Sequence, residues 1–283
     1  MLPVKTLVDR DQKDGEAVIP PGLRELYDGD LRFPSAPQQR PYVFGNFVTT
    51  LDGVVSYRIP GHSGGSTISG SDPADRFIMG LLRASADAIV VGAGTVHDVN
   101  PEHLWIPAFT FPEAKELYRQ YRVDVLRKPE QPLLAVVTGS GALDLNRAIF
   151  RTPEMQVVIV TSSIGYAELE KAGVSALTST HVKVVENVKT VIAPQAILHM
   201  LRSEFGVQSV LHEGGPTLFA RFVAHQAVDE LFLTLAPQLA GRLSHTIHPG
   251  MIQGVEFTPD TAPWLHLVSS KQGTDHLYLR YRR

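Results

Sequence analysis

Two segments of the chain combine glycine with hydroxyl residues where a strand gives way to a helix. They are IVVGAGTV (89–96) and VLHEGGPTLF (210–219). Glycine lets backbone approach a ligand closely, and the first turn of a helix points open N–H groups outward. Pro216 suits the first helical position, which puts Gly214 and Gly215 at that helix's N-terminus. Gly92 and Gly94 take the same place in the first segment, and Thr95 and Thr217 add hydroxyl donors. Two such turns at the carboxyl ends of parallel strands would hold a dinucleotide diphosphate. The plainer alternative is that each glycine pair only makes a tight turn.

Other signatures can be tested letter by letter. Gly92-Ala93-Gly94 begins G-x-G-x-x-G, but His97 occupies the sixth place, so the Rossmann fingerprint fails. No Gly-Lys pair exists for a P-loop, and His212-Glu213 runs into glycines rather than H-E-x-x-H. Gly61-His62-Ser63-Gly64-Gly65 matches G-x-S-x-G, the nucleophile elbow of α/β-hydrolases. Its flanks read as loop, not strand and helix, so a serine hydrolase at Ser63 stands as a third reading. His97, Asp98 and His103 share no helical face, and no metal is expected there.

The elements that position these groups follow from periodicity. PYVFGNFV, AIVVG (88–92), LLAVV (133–137), QVVIV (156–160), HVKVVE (181–186), VQSVLH (207–212) and DELFLTLAP (229–237) read as strands. Helices fall between them, near 73–86, 165–172, 194–204 and 216–224, the first capped by Asp72 before Pro73. Apolar strands alternating with helices indicate a largely parallel sheet covered on both faces. Two C-terminal strands, about 265–271 and 275–282 around a Gln272-Gly273 turn, give an antiparallel edge hairpin. Residues 1–39, punctuated by proline, read as an irregular arm with a short helix at Gly22–Tyr27; residues 40–283 read as one domain. A polar, aromatic insertion spans about 101–131, with a helix near Glu113–Tyr121.

Composition bounds the function. Of 283 residues, 26 are Lys or Arg and 29 Asp or Glu, a net charge of −3 with no basic run, which argues against nucleic acid. Cysteine is absent, which removes thiolate metal sites, disulfides and Cys nucleophiles. No apolar run reaches the roughly 18 residues of a membrane span, and the start lacks a signal-peptide core. The expectation is a cytoplasmic, soluble protein.

Six segments in order carry a family resemblance: T-L-D-G (50–53), T-I-S-G (67–70), LLRASADAIVVGAGTV (81–96), VVTGSGAL (136–143), VLHEGGPTL (210–218) and VDELFLTLAPQLAG (228–241). Together they resemble the C-terminal reductase domain of the riboflavin-biosynthesis deaminase–reductase, from about Arg40 onward. The resemblance implies a dihydrofolate-reductase-like three-layer α/β/α fold. It implies NADPH as cofactor and a homodimer, with DELFLTLAP and the arm as possible dimer elements. It implies reduction of the ribosyl group of 5-amino-6-(5-phosphoribosylamino)uracil, or of a related pyrimidine or pterin-like compound. Without cysteine, the family's zinc deaminase half is not expected here. The alternatives are a homologue that binds NADPH without this catalysis, and a reductase of a different small substrate.

The resemblance also assigns roles. Thr50 and Asp52 would lie at the nicotinamide and substrate edge, with Asp52 and Glu213 as the catalytic candidates. Thr67 stands where the family has a cofactor-contacting tryptophan. Gly92, Gly94 and Thr95 would form the first cofactor turn, Thr138 and Ser140 the turn near the adenosine 2′-phosphate. Gly214, Gly215, Pro216, Thr217 and Leu218 would bind the diphosphate. Arg83 would contact the substrate phosphate and Glu213 the substrate. The chain departs from the family after the first glycine turn, where T-V-H-D-V-N-P-E-H-L-W-I-P replaces an acidic run ending in arginine. Of the arginines that remain, Arg58, Arg76 or Arg83 would have to replace it.

Overall fold

The computed structural model describes residues 4–11, 18–59, 62, 64–185, 190–245 and 248–283. Among these residues ten strands form one sheet: β1 (Lys5–Asp9), β2 (Tyr42–Thr49), β3 (Ala88–Gly92), β4 (Leu133–Thr138), β5 (Val157–Ser162), β6 (Thr180–Val185), β7 (Ser209–His212), β8 (Glu230–Leu235), β9 (His266–Gln272) and β10 (Leu277–Arg282). Ten α-helices accompany them: α1 (Pro21–Tyr27), α2 (Gly65–Ser69), α3 (Pro73–Ser85), α4 (Ala93–Asp98), α5 (Pro107–Thr110), α6 (Lys115–Arg119), α7 (Ala148–Arg151), α8 (Ser163–Lys171), α9 (Pro194–Phe205) and α10 (Pro216–Ala224).

The strand order is β1-β9-β10-β8-β2-β7-β3-β4-β5-β6. From β8 to β6 every pairing is parallel, and the pairings of β10 with β8, β9 with β10 and β1 with β9 are antiparallel. The expected α/β architecture and antiparallel C-terminal strands are therefore present. The central strands are apolar because both faces are covered. Ile89 and Val91 of β3 pack into one core with Phe77, Trp105 and Tyr118, while Ala88 and Val90 pack into the other with Ile197, Phe219 and Phe222. Among the described residues no helix is long and apolar enough to cross a membrane.

Two differences from the sequence reading concern the edges. The N-terminal arm is not wholly irregular: β1 lies outside β9 as the edge strand. DELFLTLAP supplies β8, which is hydrogen-bonded on both sides to β10 and β2 and so offers no edge to a second copy. The arm is also locked by charge. Arg280 donates from Nε to Glu230 at 2.8 Å and from Nη1 to Asp11 at 2.8 Å, with its guanidinium over the rings of Phe33 and Phe232.

The insertion is packed beneath α3 rather than looped into solvent. Asp72 caps α3 as expected, accepting the Asp75 N–H at 2.8 Å. At the other end, buried Arg122 donates to the carbonyls of Arg83, Ala84 and Ala86, which otherwise lack partners at a helix C-terminus. Tyr118 lies against Gly80, where a Cβ would stand 2.6 Å from its hydroxyl oxygen, and donates to the Phe77 carbonyl. These contacts fix the C-terminal half of α3, including Arg83, against the sheet.

Candidate active site

The candidate groups line up along the carboxyl edge of four neighbouring strands. In spatial order they are Thr50 after β2, Glu213 after β7, Gly92 at the end of β3 and Thr138 at the end of β4. Adjacent strands stand about 4.8 Å apart, so this row spans about 14 Å, the scale of an extended dinucleotide. β7 is inserted between β2 and β3, a reversal of strand order of the kind that opens a crevice above the sheet.

The two glycine turns touch one another. A Cβ on Gly214 would lie 2.6 Å from Val91 Cα, so only glycine lets this turn pack against β3. Gly215 has φ +61° and precedes α10 without any side-chain cap. A Cβ there would meet Thr95 Oγ1 at 3.3 Å. Gly214 gives its N–H to His212 Nδ1 at 3.3 Å, and Pro216 has none to give. The first intrahelical bond runs from Phe219 N–H to the Gly215 carbonyl, and among the described residues the N–H groups of Thr217 and Leu218 have no acceptor. Gly94 is different: it is exposed within α4, and a Cβ there would meet nothing within 4 Å.

Thr138 and Ser140 separate. Thr138 is buried and its Oγ1 accepts the Gly141 N–H at 3.0 Å, closing the turn. Ser140 is exposed, with only a 3.4 Å contact from the Ala142 N–H, so its hydroxyl is the one available to a ligand. Thr67 is half-buried on α2, which packs on β2 through Gly65 and Val48.

Asp52 anchors a turn. Its carboxylate accepts the Thr50 hydroxyl at 2.6 Å, the Ala240 N–H at 3.0 Å and the Gly241 N–H at 2.7 Å. The Thr50 hydroxyl first, then these backbone donors, hold the carboxyl well below the usual carboxylate range. It is an ionised acceptor at neutral pH, with no proton to donate. Thr50 is fully buried and also takes the Val54 N–H at 2.9 Å.

Arg83 and Glu213, both assigned to the substrate by the resemblance, bind one another. Arg83 Nε lies 3.0 Å from both Glu213 oxygens and Nη2 lies 2.7 Å from Oε2. Its Nη1 donates to the carbonyls of Leu104 and Ile106 at 3.1 and 3.3 Å, and Nη2 also meets His103 Nε2 at 3.3 Å. The guanidinium is thus committed to protein and 1% exposed. Sequence reading missed His103 as a member of this group, because only the fold brings the insertion to α3. His97 and Asp98 sit 3.4 Å apart in solvent, and among the described residues no three His, Cys, Asp or Glu gather to hold a metal. Gly61 and Ser63 of the hydrolase-like motif lie outside the described residues.

A mostly parallel sheet with antiparallel C-terminal strands and converging glycine turns at its carboxyl edge puts the chain among the α/β proteins. Within that class the chain belongs to the RibD C-terminal domain family, whose model matches residues 41–277. It is 30% identical over 212 residues to a 2,5-diamino-6-ribosylamino-4(3H)-pyrimidinone 5′-phosphate reductase of Archaeoglobus fulgidus, covering 75% of this chain and 87% of that protein. It is 28% identical over 201 residues to the riboflavin biosynthesis protein RibD of Chlamydia trachomatis, covering 71% of this chain and 47% of that protein. The chain therefore spans about half of that longer relative. A pyrimidine reductase-like protein from Corynebacterium diphtheriae shares the fold, with a TM-score of 0.64 at 20% identity, over 86% of this chain and 91% of that one.

Proposed function

We propose that the chain is an NADPH-dependent reductase that reduces the ribosyl group of a ribosylaminopyrimidine phosphate. The observation that carries the reading is the pair of turns at Gly92–Thr95 and Gly214–Leu218, packed together so tightly that a Cβ on Gly214 would strike β3. The turns fit a dinucleotide. The open N–H groups of Thr217 and Leu218 at the α10 terminus suit a diphosphate, with Thr95 beside them. The Ser140 hydroxyl, one strand further along, suits the adenosine 2′-phosphate and supports NADPH over NADH. Bound there, the cofactor supplies the hydride.

The chain's own task is placement. Glu213, at the next strand end, presents a carboxylate held by Arg83 to the N–H groups of a heterocycle. Asp52 holds segment 240–241 against the Thr50 turn, forming the wall beyond β2. Burial of the Arg83–Glu213 pair keeps water from it. With Arg83 committed to Glu213 and the insertion, a substrate phosphate falls to another cation, Arg58 or Arg76. The same proposal includes a cytoplasmic location and a homodimer.

The test is titration of the purified protein with NADPH and NADH, followed by nicotinamide fluorescence, and then turnover of the pyrimidine ribosyl phosphate. The reading expects micromolar NADPH binding, weaker NADH binding, loss of both in Gly215→Asp, and turnover. Absence of nucleotide binding overturns it. Binding without turnover favours the alternatives, a different small substrate or a chain that has lost catalysis.

A further inference from the structure

Alternation at the end of β7 sends His212 and Glu213 to opposite faces of the sheet. Glu213 meets Arg83 of α3. His212 lies under α10, edge-on to Phe219 and Phe222, with ring centroids at 5.2 and 4.8 Å. The imidazole is fully buried. Its Nδ1 accepts the Gly214 N–H at 3.3 Å, so in a neutral ring the proton sits on Nε2. Burial keeps the ring neutral, pushing its pKa down to about 3. Among the described residues that Nε2–H has no acceptor. An apolar side chain would fill the same place without stranding a donor. It could not take the Gly214 N–H. The neighbouring strand does not take it either, since the Val90 carbonyl accepts from Glu213 at 3.1 Å. Gly214 is meanwhile pressed against Val91, where a Cβ would stand 2.6 Å from Cα. Three contacts thus fix the residues directly before Gly215–Leu218, and of the three only the imidazole bond comes from a side chain.

We propose that His212 is a positioning residue for the dinucleotide turn: its Nδ1 lone pair takes the Gly214 N–H and so sets the direction in which Gly215–Leu218 presents its donors. The inference rests on the reading of that segment as a diphosphate site and adds a residue to it. Without the acceptor, the peptide between Glu213 and Gly214 is free to turn, and a ligand must order it on binding. A partnerless donor in the core accompanies this arrangement because the same ring supplies the acceptor.

Two measurements test this. His212→Leu is of similar size, removes the stranded donor and has no acceptor. His212→Asn leaves a space between the two phenylalanines, but its Oδ1 can accept the N–H two residues on, as asparagine does in turns. Thermal unfolding is expected to rank His212→Leu at or above His212→Asn. Fluorescence titration with NADPH is expected to rank them the other way, with His212→Leu weakened about tenfold and His212→Asn within about threefold of wild type. Affinity that follows the acceptor rather than the stability is what a merely space-filling histidine would not produce. A His212→Leu variant that binds NADPH as tightly as His212→Asn overturns the proposal. The second measurement needs no variant. In wild-type protein labelled with 15N and assigned through its backbone, long-range proton–nitrogen spectra report the His212 tautomer. A proton on Nε2 alone is expected at neutral pH, and a proton on Nδ1 overturns the proposal however the variants behave. A wild type that binds no NADPH sinks the function reading, and the positioning role falls with it. Tight wild-type binding that His212→Leu leaves unchanged sinks the positioning role alone.

Discussion

Arg83 grips both carboxylate oxygens of Glu213 from α3, at distances between 2.7 and 3.0 Å, with the two side chains only 1% and 5% exposed. The two groups lie 130 residues apart in sequence, and the resemblance assigns Arg83 to the substrate phosphate and Glu213 to the substrate. On the proposed function, their pairing makes Arg83 a positioning residue, acting on the ligand through Glu213 and the 103–106 backbone.

The pair sets a stability prediction. Arg83→Met leaves a buried carboxylate without its cation and two carbonyls without a donor. The expected cost is about 3–5 kcal/mol in urea unfolding, because the remaining charge is uncompensated. Removing both charges in Arg83→Met/Glu213→Leu should cost less than the two single changes added together. A single-variant cost below about 1 kcal/mol, the range of an exposed pair, would show that the pair is solvated in solution.

The glycines of the two turns, alike in sequence, should respond oppositely to alanine. Gly214→Ala drives a methyl to 2.6 Å from backbone at Val91, which cannot swing away. It should lower the melting temperature and weaken NADPH binding together. Gly94→Ala adds a methyl in open space inside α4, where alanine is the better helix former by about 1 kcal/mol. It should leave stability equal or higher. Fluorescence titration and thermal unfolding of the two variants decide this, and equal effects would remove the argument that the second turn is packed for a ligand.

Asp52 offers a sharper contrast. A general acid or base contributes about 10²–10⁴-fold to rate, and its amide variant loses that factor. A turn anchor loses stability instead. Asp52→Asn should therefore lower the melting temperature while kcat stays within about tenfold of wild type. A thousandfold loss of kcat in a folded variant would reinstate Asp52 as a catalytic residue.

What the sequence carried and what it hid have physical reasons. AIVVG and QVVIV announced themselves because strands buried on both faces must be apolar throughout. Gly215 and Pro216 were readable because a positive φ and an N1 proline are local demands. β1 was hidden: KTLVD alternates between exposed and half-buried at a sheet edge, and so carries little apolar signal. The last strand misleads more strongly. Its leucines are half-buried, whereas Tyr278 and Arg280 are buried, because Arg280 neutralises a fully buried Glu230 on the neighbouring strand. Partnerships such as Arg83 with Glu213, or Arg280 with Glu230 and Asp11, belong to the tertiary fold, and no spacing in the chain encodes them.

Acid should destabilise the protein through two neutral histidines. Burial, assisted at His103 by the Arg83 charge, pushes both His103 and His212 down to about 3 from an ordinary 6.5. Above pH 6.5 neither the folded nor the unfolded chain protonates them, and the stabilisation is fully present. As the pH falls below 6.5 the unfolded chain gains protons that the folded protein refuses, so stability drops. The loss continues down to about pH 3, where the folded rings protonate as well. Each histidine contributes a slope of at most about 1.4 kcal/mol per pH unit across that window. The two differ in what protonation breaks. At His212 it removes the Nδ1 acceptor for the Gly214 N–H, with the ring enclosed by Phe219 and Phe222. At His103 it places a cation against Arg83. Urea unfolding measured between pH 4 and 8 for wild type, His103→Asn and His212→Asn checks this. The variants' curves should converge on the wild-type curve as pH falls, since each has given up one refused proton. Parallel curves would mean that the rings titrate normally, and that neither is held neutral by its surroundings.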